Sequence, residues 1–141
     1  MLPRGSMQVL RSETVSVASD PDIVRTRQLV RTWAVETGFG LVDQTKIITA
    51  ASELARNTVQ YGGGGTLHLE VLEDGRRRGL RLTFADAGPG IPNVELAMRD
   101  GYTTGNGLGL GLSGSRRLMN EFSVTSEVGQ GTTVVATRWK P

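Results

Sequence analysis

Apolar residues recur along this chain with two different periods, and the points where one gives way to the other lay out its elements. Over residues 8–18, Val9, Val15 and Val17 share one parity among polar neighbours, which predicts an irregular strand. Ser19-Asp20-Pro21 then supplies a capping residue with proline in the first turn. Ile23, Val30, Trp33 and Ala34 follow as one helical stripe that runs to Thr37, before Gly38. A second helix starts at Val42-Asp43, where Ile47, Ile48, Ala51, Leu54, Ala55 and Val59 form a broad apolar stripe that ends at glycines 62–65. Leu67, Leu69 and Val71 alternate with His68 and Glu70, Asp74-Gly75 marks a turn, and Leu80, Leu82 and Phe84 alternate again up to Asp86, which predicts a hairpin. Residues 92–99 predict a short helix, 100–111 are too glycine-rich to be regular, and Leu112 to Glu121 reads as another helix. Phe122 to Val128 and Thr132 to Trp139 are rich in Val, Thr and aromatics, with Gly129-Gln130-Gly131 between them as a final hairpin turn. Strand pairs joined by hairpins, with helices grouped between them, predict an α+β fold. The expected form is a two-layer α/β sandwich with helices on one face of a mixed, mainly antiparallel sheet.

Composition narrows the chemistry more than the fold. The string Leu2-Pro3-Arg4-Gly5-Ser6 resembles a protease-site remnant, so residues 1–6 are read as an expression tag and 7–141 as one domain. No run approaches the roughly 18 apolar residues of a membrane helix, and the expectation is a soluble, cytoplasmic protein without a membrane partner. The chain has no cysteine and one histidine, His68, which excludes thiolate metal sites and histidine clusters, so a metal must be held by oxygen. A formal charge of +2 gives little footprint for nucleic acid, and none is expected as a partner. Lysine occurs only at Lys46 and Lys140, whereas a P-loop needs one directly after its glycines and a common protein kinase needs one on an early strand. Both of those nucleotide folds are excluded.

Three short segments carry the remaining chemistry. On the second helix, Glu53 and Asn57 lie four apart and present a carboxylate and a carboxamide on one side. The amide oxygen suits Mg²⁺, and the carboxylate suits a proton acceptor for an attacking hydroxyl; a solvated helix face is the bland alternative. Asp86 ends an apolar strand just before Gly88 and Gly90, where an acceptor-only carboxylate can take a hydrogen bond from the exocyclic amine of adenine; a plain turn is the alternative. Gly105, Gly107, Gly109 and Gly111 lead into the helix near Leu112, which offers free amides and a helix N-terminus to phosphate. The Gly-x-Gly-x-x-Gly at Gly109, Gly111 and Gly114 is a poor dinucleotide fingerprint, because no strand leads into it. Residues 91–108 read as a lid over ATP. Gly129, Gly131 and Thr132 form a tight turn whose threonine hydroxyl either completes the adenine pocket or belongs to a simple hairpin.

Together these blocks resemble the N box, the glycine boxes and the terminal Gly-Thr of the GHKL ATPase/kinase superfamily, whose ATP-binding domain is the Bergerat fold. The likeness covers residues 8–140. The helix string 49–57, Asp100-Gly-Tyr-Thr-Thr104 and Glu121-Phe-Ser-Val124 resemble RsbT-type switch kinases of bacterial stressosomes more closely than anti-sigma-factor kinases. The resemblance implies Glu53 as catalytic base, Asn57 as Mg²⁺ ligand and Asp86 as the adenine-reading carboxylate. It also implies that Gly88, Gly90, Gly105, Gly107, Gly109 and Gly111 form the pocket and lid, with ATP and Mg²⁺ as cofactors. The expected activity is transfer of the γ-phosphate to Ser or Thr of a STAS-domain protein, with a PP2C-type phosphatase as a second partner. Sequestration of a sigma factor and non-catalytic activation of a phosphatase are the alternative readings. One departure stands out: no Lys or Arg lies between Asp100 and Ser115, where many lids of this superfamily supply a cation, and Arg116 and Arg117 beyond it read as a solvated helix face. The smaller signals read blandly: Arg76-Arg77-Arg78 as a solvated hairpin, His68 as a strand residue that is not a phospho-acceptor, and Trp33 and Trp139 as core or sheet-face residues.

Overall fold

A computed structural model of the chain describes residues 7–102 and 111–141. The elements are β1 (Met7–Val17), α1 (Asp20–Thr37), α2 (Leu41–Gln60), β2 (Gly65–Asp74), β3 (Arg77–Asp86), α3 (Val94–Ala97), α4 (Leu112–Leu118), β4 (Glu121–Glu127) and β5 (Gly131–Trp139). The strands form a five-stranded sheet in the order β1-β2-β3-β5-β4. The sheet expected to be mainly antiparallel is antiparallel at each of its pairings among the described residues. Gly105, Gly107 and Gly109 lie outside the described residues.

Local chemistry sets the helix ends. Pro21 occupies the first turn of α1, where its missing N–H costs nothing. The helix closes at Gly38, whose φ of 97° lets its N–H reach the carbonyls of Ala34 and Val35. Asn93 caps α3 by accepting the Leu96 N–H at 3.0 Å. α4 stops at Leu118, short of the expected Glu121, because β5 captures the next residues. The Asn120 N–H donates to Thr137 O at 2.9 Å, and Asn120 Oδ1 accepts the Trp139 N–H at 2.6 Å.

The four helices among the described residues cover the same face of the sheet. Val30, Trp33, Ala34, Ile47, Ala51, Leu54 and Ala55 bury themselves against Leu67, Leu69, Leu80, Leu82, Phe84, Val134 and Ala136, and Ala97 and Leu112 join the same core. Each large side chain removed from water in this way contributes about 1.5–3 kcal/mol. The register shift between Val9 and Arg11 sets Val9 opposite Leu72, out of phase with Val15 and Val17, whereas Arg11, opposite Val71, keeps their phase and points toward the helices. Its guanidinium there lies 3.9 Å above the Trp33 ring and donates to Glu36 at 2.6 Å.

The opposite face carries a polar ladder. Thr14 Oγ1 meets His68 Nδ1 at 2.6 Å, and Arg81 donates two bonds to Glu70, at 2.8 and 3.0 Å. Those bonds hold the Glu70 carboxyl below the ordinary range and raise Arg81 above its own. At the hairpin end, Arg77 pairs with Asp74 and stacks 4.3 Å above Trp139, and Arg78 pairs with Glu73. The arginine run is therefore largely satisfied within its own hairpin.

Candidate functional site

The described part of the site forms where the C-terminal half of α2 crosses the ends of β3 and β5. Asp86, the last residue of β3, is paired with Gly65 on one side and Thr132 on the other. Its Oδ1 accepts the N–H of Gly88 at 2.9 Å and of Thr132 at 3.3 Å. Among the described residues Oδ2 accepts no bond, so its lone pairs remain available to a ligand donor.

Glycines make this arrangement possible. A Cβ on Gly62 would lie 2.5 Å from Asp86 Oδ2, and one on Gly88 would lie 2.6 Å from the Gly62 carbonyl oxygen. A Cβ on Gly131 would strike the Asp86 carbonyl, and Gly90, at φ 78°, is pressed against the Glu127 carbonyl. Gly88 and Gly90 thus serve first to let chain approach chain around Asp86. Gly62, which the sequence offers only as a helix terminator, belongs to the same packing, and Tyr61 secures the loop by donating its hydroxyl to Gly90 O at 3.0 Å. Ser126 is a further contributor that sequence reasoning missed. Its hydroxyl accepts the Ile91 N–H at 2.7 Å and donates to Gly131 O at 3.0 Å, which leaves Thr132 as the donor in their 2.8 Å contact. No local sequence signal marks it, because the contact depends on the register Ser126↔Thr132 across the β4–β5 hairpin.

Asn57, Asp86 and Thr132 meet in a narrow slot walled by Leu54, Phe84, Ile91 and Val134. Its volume is about 20 Å³, room for one water and far less than a purine. Glu53 faces elsewhere. It lines a separate cavity of about 770 Å³ between α1, α2 and α4, together with Arg27, Ser52, Arg56, Gly111, Ser115 and Arg117. Residues four apart on a helix are rotated by about 40°, and here that rotation is enough to send Asn57 into the slot and Glu53 into the groove beside it. Gly111, at φ 59°, lies so close to Glu53 that any Cβ there would collide with the carboxylate.

The groove is cationic, with three arginines set against one carboxylate. Glu53 Oε2 accepts from Arg56 Nη1 at 2.7 Å, with the acid 29% and the arginine 47% exposed. Arg117 instead bonds Asp100, an exposed carboxyl held below its usual range first by that bond and then by Ser113. Among the described residues no group of three or more His, Asp or Glu could cage a metal.

Known proteins similar to this chain fall in one family. The chain is 48% identical to serine/threonine-protein kinase RsbT of Bacillus subtilis (strain 168) over 125 residues, covering 89% of this chain and 94% of that one. It is 34% identical over 101 residues to an anti-sigma F factor of Anoxybacillus flavithermus, covering 67% and 68%. Among solved structures, the RsbU and RsbW domains of a Mycobacterium tuberculosis protein superpose with a TM-score of 0.66 at 21% identity, over 93% of this chain and 33% of that one. The catalytic domain of histidine kinase ThkA superposes with a TM-score of 0.54 at 18% identity, over 91% and 96%, so these two likenesses speak for the fold. The profile of the histidine kinase-, DNA gyrase B- and HSP90-like ATPases matches residues 42–140. With that match across most of the chain, and the antiparallel sheet and one-sided helices that go with it, the chain belongs to the histidine kinase-, DNA gyrase B- and HSP90-like ATPase family.

Proposed function

We propose that the protein is an ATP- and Mg²⁺-dependent serine/threonine kinase of a bacterial partner-switching pathway that phosphorylates a STAS-domain regulator and also engages a PP2C-type phosphatase. The observation that carries the reading is the division of labour on α2. Asn57 shares a slot with Asp86 and Thr132, while Glu53, one turn away, faces an open groove of about 770 Å³. Nucleotide and acceptor thus approach from two sides of one helix. The likeness to RsbT supports the same activity.

In this reading the Asp86 carboxylate accepts from the adenine amine, and the Thr132 hydroxyl lies beside it. The slot, at about 20 Å³, must widen to admit the base. The acceptor hydroxyl oxygen attacks the γ-phosphorus, the bond from that phosphorus to the bridging oxygen of ADP breaks, and the hydroxyl proton passes to Glu53. A phosphoester, ADP and a protonated Glu53 result. Mg²⁺, when bound through Asn57, neutralises charge on the phosphate oxygens. Glu53 and Asn57 then divide proton acceptance and cation holding between them.

The test is transfer from γ-³²P-ATP with Mg²⁺ to the STAS protein encoded beside the gene. Label on the partner that disappears in Glu53→Ala and in Asn57→Ala supports the reading. Absence of label, with ATP binding and a stable partner complex intact, refutes it in favour of a nucleotide-dependent binding switch. That second reading has its own support in the likeness to anti-sigma F factors and in the lack of Lys or Arg from 101 to 114.

A further inference from the structure

The transferring phosphoryl group carries its charge on three oxygens, and a fixed cation beside them is a large part of how such reactions are accelerated. Residues 101–114 contain no Lys or Arg, so that stretch cannot deliver one. We propose that Arg56 is this cation: it rests on Glu53 in the nucleotide-free chain and exchanges that carboxylate for the γ-phosphate when ATP binds. The proposal rests on the kinase reading above.

Position singles out Arg56 among the three arginines of the groove. Arg117 is engaged by Asp100, and Arg27 stands across the groove on α1. Arg56 is on the helix that carries both proposed reaction residues, next to Asn57 in sequence and 2.7 Å from Glu53. Around the helix axis Glu53 lies between them, with Arg56 rotated about 60° to one side and Asn57 about 40° to the other. A guanidinium there can turn from the carboxylate toward a phosphate at the slot's mouth without leaving the groove. An ion pair half open to solvent is a weak restraint, and a phosphate takes a planar fork through two oxygens at once.

The resting contact has a second consequence. Oε2 of Glu53 is occupied by the Arg56 N–H, and that oxygen's lone pairs are among those that must receive the acceptor's proton. When Arg56 moves to the γ-phosphate, Glu53 becomes available. Nucleotide occupancy and the proton acceptor are thereby coupled through one side chain, and hydrogen bonds are exchanged rather than lost.

The experiment uses the full chain with Arg56→Ala, Arg56→Lys and Arg117→Ala. Affinities for ATP and ADP are measured by calorimetry in Mg²⁺, and kcat and KM by phosphate transfer to the STAS partner. The expected result for Arg56→Ala is unchanged ADP affinity, loss of the preference for ATP over ADP, unchanged KM for the partner and kcat lower by about 100-fold or more. Arg56→Lys should recover part of both. Preserved ATP preference and kcat in Arg56→Ala would overturn the proposal. So would a raised partner KM at unchanged kcat, which marks a docking contact, or the same losses falling on Arg117→Ala instead. If the wild type transfers no label but Arg56→Ala still loses its ATP preference, the kinase reading fails and Arg56 stays assigned to the γ-phosphate.

Discussion

Gly62→Ala tests whether the glycine packing around Asp86 is what builds the proposed base-reading site. The added methyl would sit 2.5 Å from Asp86 Oδ2, well inside van der Waals contact, and neither side yields easily. The carboxylate is held through Oδ1 by the amides of Gly88 and Thr132, and Gly62's own backbone is wedged against Gly88. Overpacking of this kind costs about 1–3 kcal/mol. For a domain of this size that lowers Tm by roughly 2–12 °C. On the proposed reading of Asp86, displacing it also removes a hydrogen bond between a charged acceptor and the base, worth about 1.5–3 kcal/mol, so ATP affinity should fall by roughly 10- to 150-fold. Gly63→Ala is the control. At φ 75° it bears a left-handed penalty of about 1–2 kcal/mol, but nothing lies within 4 Å of the new methyl. Calorimetric titration with a non-hydrolysable ATP analogue, alongside thermal unfolding, separates the two effects. If Gly62→Ala loses stability as Gly63→Ala does yet binds nucleotide as the wild type does, the reasoning is wrong, because Asp86 then either tolerates displacement or does not read the base.

Three further outcomes follow from the packing and the polar ladder. Leu82→Ala, at a site with 0% exposure in the centre of the sheet, should cost about 2–5 kcal/mol in urea unfolding at unchanged cooperativity. Because Arg81 lowers the Glu70 pKa in the folded state from an ordinary value of 4.5, the pair's stabilisation is complete above that value and lost as pH falls through the lowered one. Denaturant melts should therefore show Glu70→Gln destabilised by about 2 kcal/mol near neutrality, with the gap closing below pH 4.5; a gap that widens in acid would contradict the assignment. Ser126→Ala strips the acceptor from the Ile91 N–H and the partner from Thr132, at a cost of about 1–3 kcal/mol, and should raise hydrogen exchange at Ile91 selectively.

The order of elements was legible in the chain because each is announced by a local period or a local stop. The odd-numbered stripe from Leu67 to Val71 and the even-numbered one from Leu80 to Phe84 reappear as the core faces of β2 and β3. Gly38 and Asp74-Gly75 end their elements where their backbone freedom predicts. Asp86 at a strand end beside paired glycines, and Glu53 one turn before Asn57, likewise needed no coordinates to be singled out. What no local pattern encodes is which surfaces come within an ångström or two of each other. Whether Glu53 and Asn57 share one cavity or divide two depends on α4 and the β3 end lying to either side of α2. That Gly62 must be small depends on a contact with Asp86, far along the chain. The end of α4 was decided by β5 claiming Asn120, and the loss of Val9 from the face of Val15 and Val17 by a bulge that only the pairing with β2 reveals. Periodicity determines which face of an element is buried, because burial of that face is a property of the segment. Close approach is a property of two segments, and the sheet and the helices laid across it determine that one.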